Sequence, residues 1–149
     1  VQFGTLSASG PRYATTSGGS GSNTVAHTIA GSSNAPSGYT ISYTGPTLTS
    51  GANTIAPATF TNSATGSAGS AQFALSLSSS GGATITTAYD QSAGAGSWKF
   101  LANTVDTIAA TSGVTSSETY SVRYISNIAS STPAGNYSTN IGYVITGNF

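Results

Sequence analysis

The sequence predicts an all-β protein, an antiparallel β-sandwich of Ig-like or jelly-roll topology. Two observations carry that reading. Short runs of β-branched and aromatic residues alternate with polar ones, and clusters of Gly, Pro, Ser and Asn separate the runs at regular spacing. Apart from Ala, helix formers are scarce throughout the 149 residues. That length suits one domain with a real core, since a chain of this size buries roughly 68–70% of its unfolded surface.

The expected strands follow in order. "VQFGTL" (1–6) is a candidate first strand, and a Gly-Pro break at 10–11 closes it off. Residues 1–10 are therefore read as an N-terminal strand segment and 11–149 as a single sandwich domain. "NTVAHTIAG" (23–31) places Val25, His27 and Ile29 on one face, and "GYTISYTG" (38–45) does the same for Tyr39, Ile41 and Tyr43. "AQFALSLSS" (71–79) aligns Phe73, Leu75 and Leu77. "ATITTAY" (83–89), "SWKFLA" (97–102) and "DTIAA" (106–110) are shorter. "ETYSVRYI" (118–125) aligns Tyr120, Val122 and Tyr124, and "NYSTNIGYVITGNF" (136–149) aligns Tyr137, Ile141, Tyr143 and Ile145. Successive side chains of a strand point to opposite faces, so each set forms one apolar face, and two such faces stack into a core about 10 Å thick. The linkers 16–23, 63–70 and 91–97 read as surface turns. No internal repeat is evident.

Charge is the unusual quantity. Only 4% of residues are Asp, Glu, Lys or Arg, against about 25% in ordinary domains. The chain carries 27 Ser and 24 Thr, so hydroxyls rather than ions keep its surface wet. Three cations and a net charge of zero leave no footprint for nucleic acid or an anionic membrane. No apolar run approaches the roughly 20 residues of a spanning helix. A neutral surface does not oppose self-association. Cys and Met are both absent, which excludes disulfides and thiol chemistry. The absence of an initiator Met is read as a processed form whose export signal has been removed, so an extracellular or cell-surface location is expected.

The chemistry of catalysis is nearly absent. His27 is the single histidine, and its place on a strand face reads as a packed, hydrogen-bonded side chain rather than a base. No G-x-S-x-G elbow accompanies the many serines, so no acyl-transfer triad is expected. Asp90, Asp106 and Glu118 are the only acids and lack metal-ligand spacing. One His without Cys does not make a zinc site, and "YDQSAGAG" (89–96) offers at best a weak calcium site of backbone carbonyls. "TSGGSGSN" is Gly-rich but lacks the Lys and helix of a phosphate loop. No catalytic residue, cofactor or metal is assigned.

Aromatic residues offer the remaining candidates. Trp98 in "GAGSWKFLA" reads first as a core anchor and second as a glycan contact. The tyrosine sets 39/43, 120/124 and 137/143 read as cross-strand pairs. Asn136 heads the one N-glycosylation sequon, Asn136-Tyr137-Ser138, and the Ser/Thr-rich loops are candidate O-glycan carriers. "PAGNY" (133–137) reads as a turn shaped by Pro133 and Gly135 and locked by Tyr137, whose hydroxyl bonds back to upstream backbone in the manner of a tyrosine corner.

Taken together and in order, "SSNAPSGYTISYTGPTLTSGANTI" (32–55), "SAQFALSL" (70–77), "SWKFLAN" (97–103) and "ETYSVRYISNIASSTPAGNYSTNIGYVITGNF" (118–149) resemble short secreted surface proteins of Patescibacteria. That resemblance implies an exported cell-surface β-sandwich. "FGTL" near the start and "PAGNYSTNIGYVITGNF" near the end are similar, more faintly, to spore-coat-U-like and archaic chaperone–usher pilin domains. Those pilins assemble when an N-terminal strand of one subunit completes the sandwich of the next; unlike them, this chain has no Cys. The resemblance implies that Val1, Gln2, Phe3, Gly4, Thr5 and Leu6 act as a donor strand. The expected function is therefore a non-enzymatic structural subunit of an extracellular filament or coat whose partners are copies of itself. The alternative is an adhesin or carbohydrate-binding module whose partners are glycans or other cell surfaces.

Overall fold

The computed structural model describes residues 1–61, 63, 65–92 and 96–149. Positions 64 and 93–95 of the expected linkers, and with them part of the calcium candidate at 89–96, lie outside the described residues. The protein is all-β. Its strands are β1 (Arg12–Tyr13), β2 (His27–Ser33), β3 (Tyr39–Thr44), β4 (Thr49–Ser50), β5 (Asn53–Thr54), β6 (Thr59–Thr61), β7 (Gln72–Ser79), β8 (Thr84–Ile85), β9 (Ser97–Lys99), β10 (Asp106–Ala110), β11 (Thr115–Asn127) and β12 (Gly142–Gly147). Among the described residues a single 3-10 turn occurs, at Thr87–Tyr89.

Two sheets form the sandwich, and every strand pair within them is antiparallel. In the first, β11 is central. It pairs with β7 on one side and with both β2 and β1 on the other, and the sheet continues through β9 to β6. The second runs β12–β3–β10–β8, and β4 and β5 form a separate small ladder. The alternation in β3, β7 and β11 supplies the facing layers. Tyr39, Ile41 and Tyr43 from the second sheet meet Phe73, Leu75, Leu77, Tyr120, Val122 and Tyr124 from the first, none more than 5% exposed. Burying one large apolar side chain contributes about 1.5–3 kcal/mol, so these facing rows dominate the stability of the fold.

The first sheet is buried on both faces. Opposite the main core, Tyr13, Ala74, Trp98 and Ile125 form a second cluster with Phe60 against it. Trp98 stacks on Phe60 with ring centroids 6.2 Å apart and tilts against Tyr13 at 5.9 Å.

Tyrosine hydroxyls pin one sheet to the other. Tyr39 on β3 meets Tyr120 on β11 at 2.9 Å, both fully buried. Tyr143 on β12 meets Tyr124 on β11 at 2.5 Å. The expectation of cross-strand tyrosine pairs is thus corrected. Only Tyr43 and Tyr143 are register partners on neighbouring strands, and the shared hydroxyl bonds of the other pairs cross the core. The reason is size: a tyrosine pointing inward from each sheet spans the gap and can satisfy its hydroxyl only on the facing sheet. A third pair joins β3 of the second sheet to the 3-10 turn, which packs against β9, β6 and β7 of the first. Tyr43 Oη accepts from the Leu101 N–H at 2.8 Å and meets Tyr89 Oη at 3.1 Å. Tyr89 in turn donates to Asp106 Oδ2 at 2.5 Å, and Lys99 Nζ binds the same oxygen at 2.7 Å. Burial pushes the Tyr89 phenol up, and its bonds to Asp106 and Tyr43 push it further.

Several expected strands change shape. Residues 1–6 do not form a strand; Gln2 makes one isolated bridge, to Thr15. Gly4 has φ +68° there, a left-handed turn that breaks the extended run. β2 starts at His27, so Val25 precedes the strand and is 37% exposed. β11 is longer than expected and β8 much shorter. β12 keeps Tyr143 and Ile145 on one face, but Tyr137 and Ile141 precede it.

Candidate functional site

One edge of the sandwich is open. β2 ends the first sheet and β12 ends the second, and neither has a further strand partner among the described residues. The two edges lie side by side: the His27 ring on β2 stands 5.9 Å from the Tyr143 ring on β12. The direction of the β3 backbone shows which groups of β12 are left over. Tyr39 C=O accepts from Thr111 beyond β10, whereas Gly38 C=O accepts from Asn148 on the β12 side. Backbone groups alternate sides along a strand. Gly142, Val144 and Thr146 therefore bond to β3, and the N–H and C=O of Tyr143 and Ile145 face the open side. Val144 and Ile145 are 57% and 42% exposed. No charged residue or Pro lies in β12, so the edge lacks the usual guards against pairing.

A groove of about 1080 Å³ opens at this end of the sandwich. Residues 1–6 form one wall and the 132–139 turn another, with Leu48, Phe73 and Ile128 supplying apolar floor. His27, Tyr124 and Tyr143 converge at its base: His27 Nε2 lies 2.9 Å from Tyr124 Oη, which lies 2.5 Å from Tyr143 Oη. Burial lowers the His27 imidazole below its usual value, against a hydrogen bond to the Thr28 backbone that raises it. Burial also raises both phenols, Tyr124 to about 12.

Residues 1–6 are docked rather than free. Gln2 and Thr15 exchange backbone hydrogen bonds of 2.7 and 2.9 Å. Arg12 Nε donates to Phe3 C=O and Nη2 to Gly18 C=O, both at 3.1 Å. Phe3 packs edge-on against Phe73 at 6.2 Å, and Leu6 also packs on the main core. Glycine makes this approach possible. A Cβ on Gly4 would stand 2.1 Å from Gly18 O, and one on Gly19 would stand 2.0 Å from Phe3 O. Val1, Gln2, Gly4 and Thr5 remain exposed, with Val1 at 63%. The segment thus walls the groove, held by a few backbone bonds and two side chains.

The other sequence candidates fall into separate places. In the 132–139 turn, Tyr137 Oη donates to Pro133 C=O at 2.9 Å, and Gly135 lies against Ser50. Ser138 and Thr49 exchange backbone bonds of 2.9 Å each, tying the turn to β4. Asn136 is exposed on this turn, accessible to modification. Trp98 is 0% exposed. The structure thereby corrects the glycan-contact reading, because a ring covered on both sides by Phe60 and Tyr13 has no face for a sugar. Asp90 caps Ser92 at 2.8 Å. No group of three or more His, Cys, Asp or Glu gathers among the described residues. No helix of the described residues is long and apolar enough to cross a membrane.

The sequence places His27, Tyr124 and Tyr143 on strand faces but does not bring them together. Their meeting depends on how the two sheets stack, for which a single chain carries no local signal. Compared with protein-family models, with curated proteins and with solved structures, the chain finds no match in any of the three.

Proposed function

We propose that the protein is a non-enzymatic structural subunit of an extracellular filament or surface coat, assembling with copies of itself through β-strand pairing. One observation carries this reading: residues 1–6, docked by a few backbone bonds and by Phe3 and Leu6, wall a groove beside an unguarded sheet edge. A segment that docks within its own chain can dock in a second copy through the same contacts, which is the logic of domain swapping. The Ser7–Gly10 turn is the hinge that would open. Exchange re-forms the hydrogen bonds and the Phe3 packing in the neighbour, so its net cost is small and concentration decides the outcome. Within the groove, Phe3 and Leu6 supply the side-chain anchors. The open backbone of Tyr143 and Ile145 on β12 offers a ladder for any strand entering the seam.

The export and surface location expected from the sequence belong to the same proposal. The adhesin alternative loses Trp98 as its aromatic platform and keeps only the groove lined by Tyr124, Tyr137 and Tyr143. The test is deletion of residues 1–9. The proposal expects ordered polymers from the full chain by electron microscopy and none from the deletion; polymers of normal form from the deletion would overturn the role of the segment.

A further inference from the structure

Three hydroxyl pairs of tyrosines stand among the described residues, and one of them differs from the others. Tyr39–Tyr120 is sealed, with both rings 0% exposed, and Tyr43–Tyr89 ends on the Asp106–Lys99 ion pair. Each of those is accounted for as structural glue. Tyr124–Tyr143 alone adds an imidazole, and it alone opens onto a groove. Three potential ligand atoms, one nitrogen and two phenol oxygens, therefore stand together at the base of a solvent-connected space.

We propose that His27 Nε2, Tyr124 Oη and Tyr143 Oη form a binding site for a hard trivalent cation, ferric iron in particular. Three arguments support it. The first is spacing. Two donors held about 2.0–2.1 Å from one first-row ion at right angles stand about 2.9 Å apart; the His27–Tyr124 separation of 2.9 Å matches this, and the Tyr124–Tyr143 separation of 2.5 Å must widen to reach it. Rotation of the rings would admit an ion to the side of the lines on which the hydroxyl protons now lie. The second is ligand type. Imidazole serves iron among other transition metals, and tyrosine phenolate is an established iron ligand in haem proteins. Anionic phenolate oxygens match the small, highly charged ferric ion better than softer divalent ones. The third is access: the groove of about 1080 Å³ leaves the remaining coordination positions for water or a small anion.

The binding step involves no redox change. Tyr124 and Tyr143 each lose a phenol proton to solvent, neutral His27 supplies its lone pair, and the +3 ion with two phenolates leaves one net positive charge at the site. Both phenols carry their protons near neutral pH, well below the ordinary tyrosine value of about 10. Binding must displace two protons, so affinity falls about 100-fold for each pH unit of acidification while other species are unchanged. This site does not depend on self-assembly, because all three ligands come from one chain.

The experiment adds ferric nitrilotriacetate to the full chain near neutral pH and records the visible spectrum. The expected result is a phenolate-to-iron charge-transfer band at one iron per chain. Tyr143→Phe should abolish at least half of the band, and His27→Gln should keep a band while weakening binding about tenfold or more. Tyr39→Phe, which also removes one core tyrosine hydroxyl, should leave the band intact. Tyr143 is only half-buried, so its variant carries the test even where a change at the nearly buried Tyr124 loosens the fold. Absence of any band from the native chain would overturn the proposal. So would a band that persists unchanged in Tyr143→Phe, which would place the iron on an exposed phenol such as Tyr137.

Discussion

Tyr39 and Tyr120 show how much of this fold rests on single hydroxyls. Each is fully buried and each has the other as its partner at 2.9 Å. Replacing one with Phe strands the other hydroxyl, which costs about 1–3 kcal/mol. Replacing both removes the orphan, so the double variant should lose less than the sum of the two singles. Chemical denaturation of the two single variants and the double variant measures that coupling. His27 gives the fold its response to mild acid. It is the only side chain here whose ordinary value lies between about pH 5 and 8. Burial holds its folded value below the unfolded one, so the unfolded chain takes up a proton that the folded chain refuses. Stability is therefore highest above the unfolded value of about 6.5 and declines as pH falls through it toward the lower folded value. Thermal melts between about pH 7.5 and 5 should show that decline, and His27→Gln should flatten it.

At the scale of the element, the positions of the cations matter more than their number. Arg12 lies in β1, Lys99 in β9 and Arg123 in β11, and each precedes a buried aromatic residue: Tyr13, Phe100 and Tyr124. A protease needs extended, accessible backbone, which none of these strands offers without opening. Native protein should resist trypsin, while the chain unfolded in urea should be cut at all three sites; gel electrophoresis distinguishes the two. β12 makes a second prediction. Val144 is 57% exposed on the outward face of this edge strand. Val144→Lys installs the charge that natural edges use against pairing. It should reduce self-association measured by light scattering while changing stability by no more than about 0.5 kcal/mol.

The same elements show what could be read from the sequence. β3, β7 and β11 were legible because every second residue is apolar, and the structure buries those residues as rows. β1, β4, β5 and β6 were not, because strands of two or three residues carry no period. Residues 1–6 have strand-like composition, but the left-handed Gly4 and the Arg12 clamp hold them as a docked coil. The last expected strand began too early, because Tyr137 is held in its turn by Pro133 and Thr139 bonds to Pro46. Of the candidate site, the residue types were visible and their convergence was not.

At the scale of the molecule, net charge of zero and 4% charged residues remove the long-range repulsion that keeps most small proteins apart. What opposes association here is geometry alone: which edges are covered and which segments are docked. β6 and β8 close one side with short strands of two or three residues. β2 and β12 leave the other side open over six or seven, and residues 1–6 sit at the mouth of that seam. Association should accordingly depend strongly on concentration and weakly on salt, since there are few charges to screen. The most direct test of self-assembly through this seam is electron microscopy of the purified full chain beside the chain lacking residues 1–9, at matched concentration. The account predicts regular polymers from the first and dispersed monomers from the second. A full chain that remains monomeric across the concentration range, or a deletion that polymerises like the full chain, would contradict it.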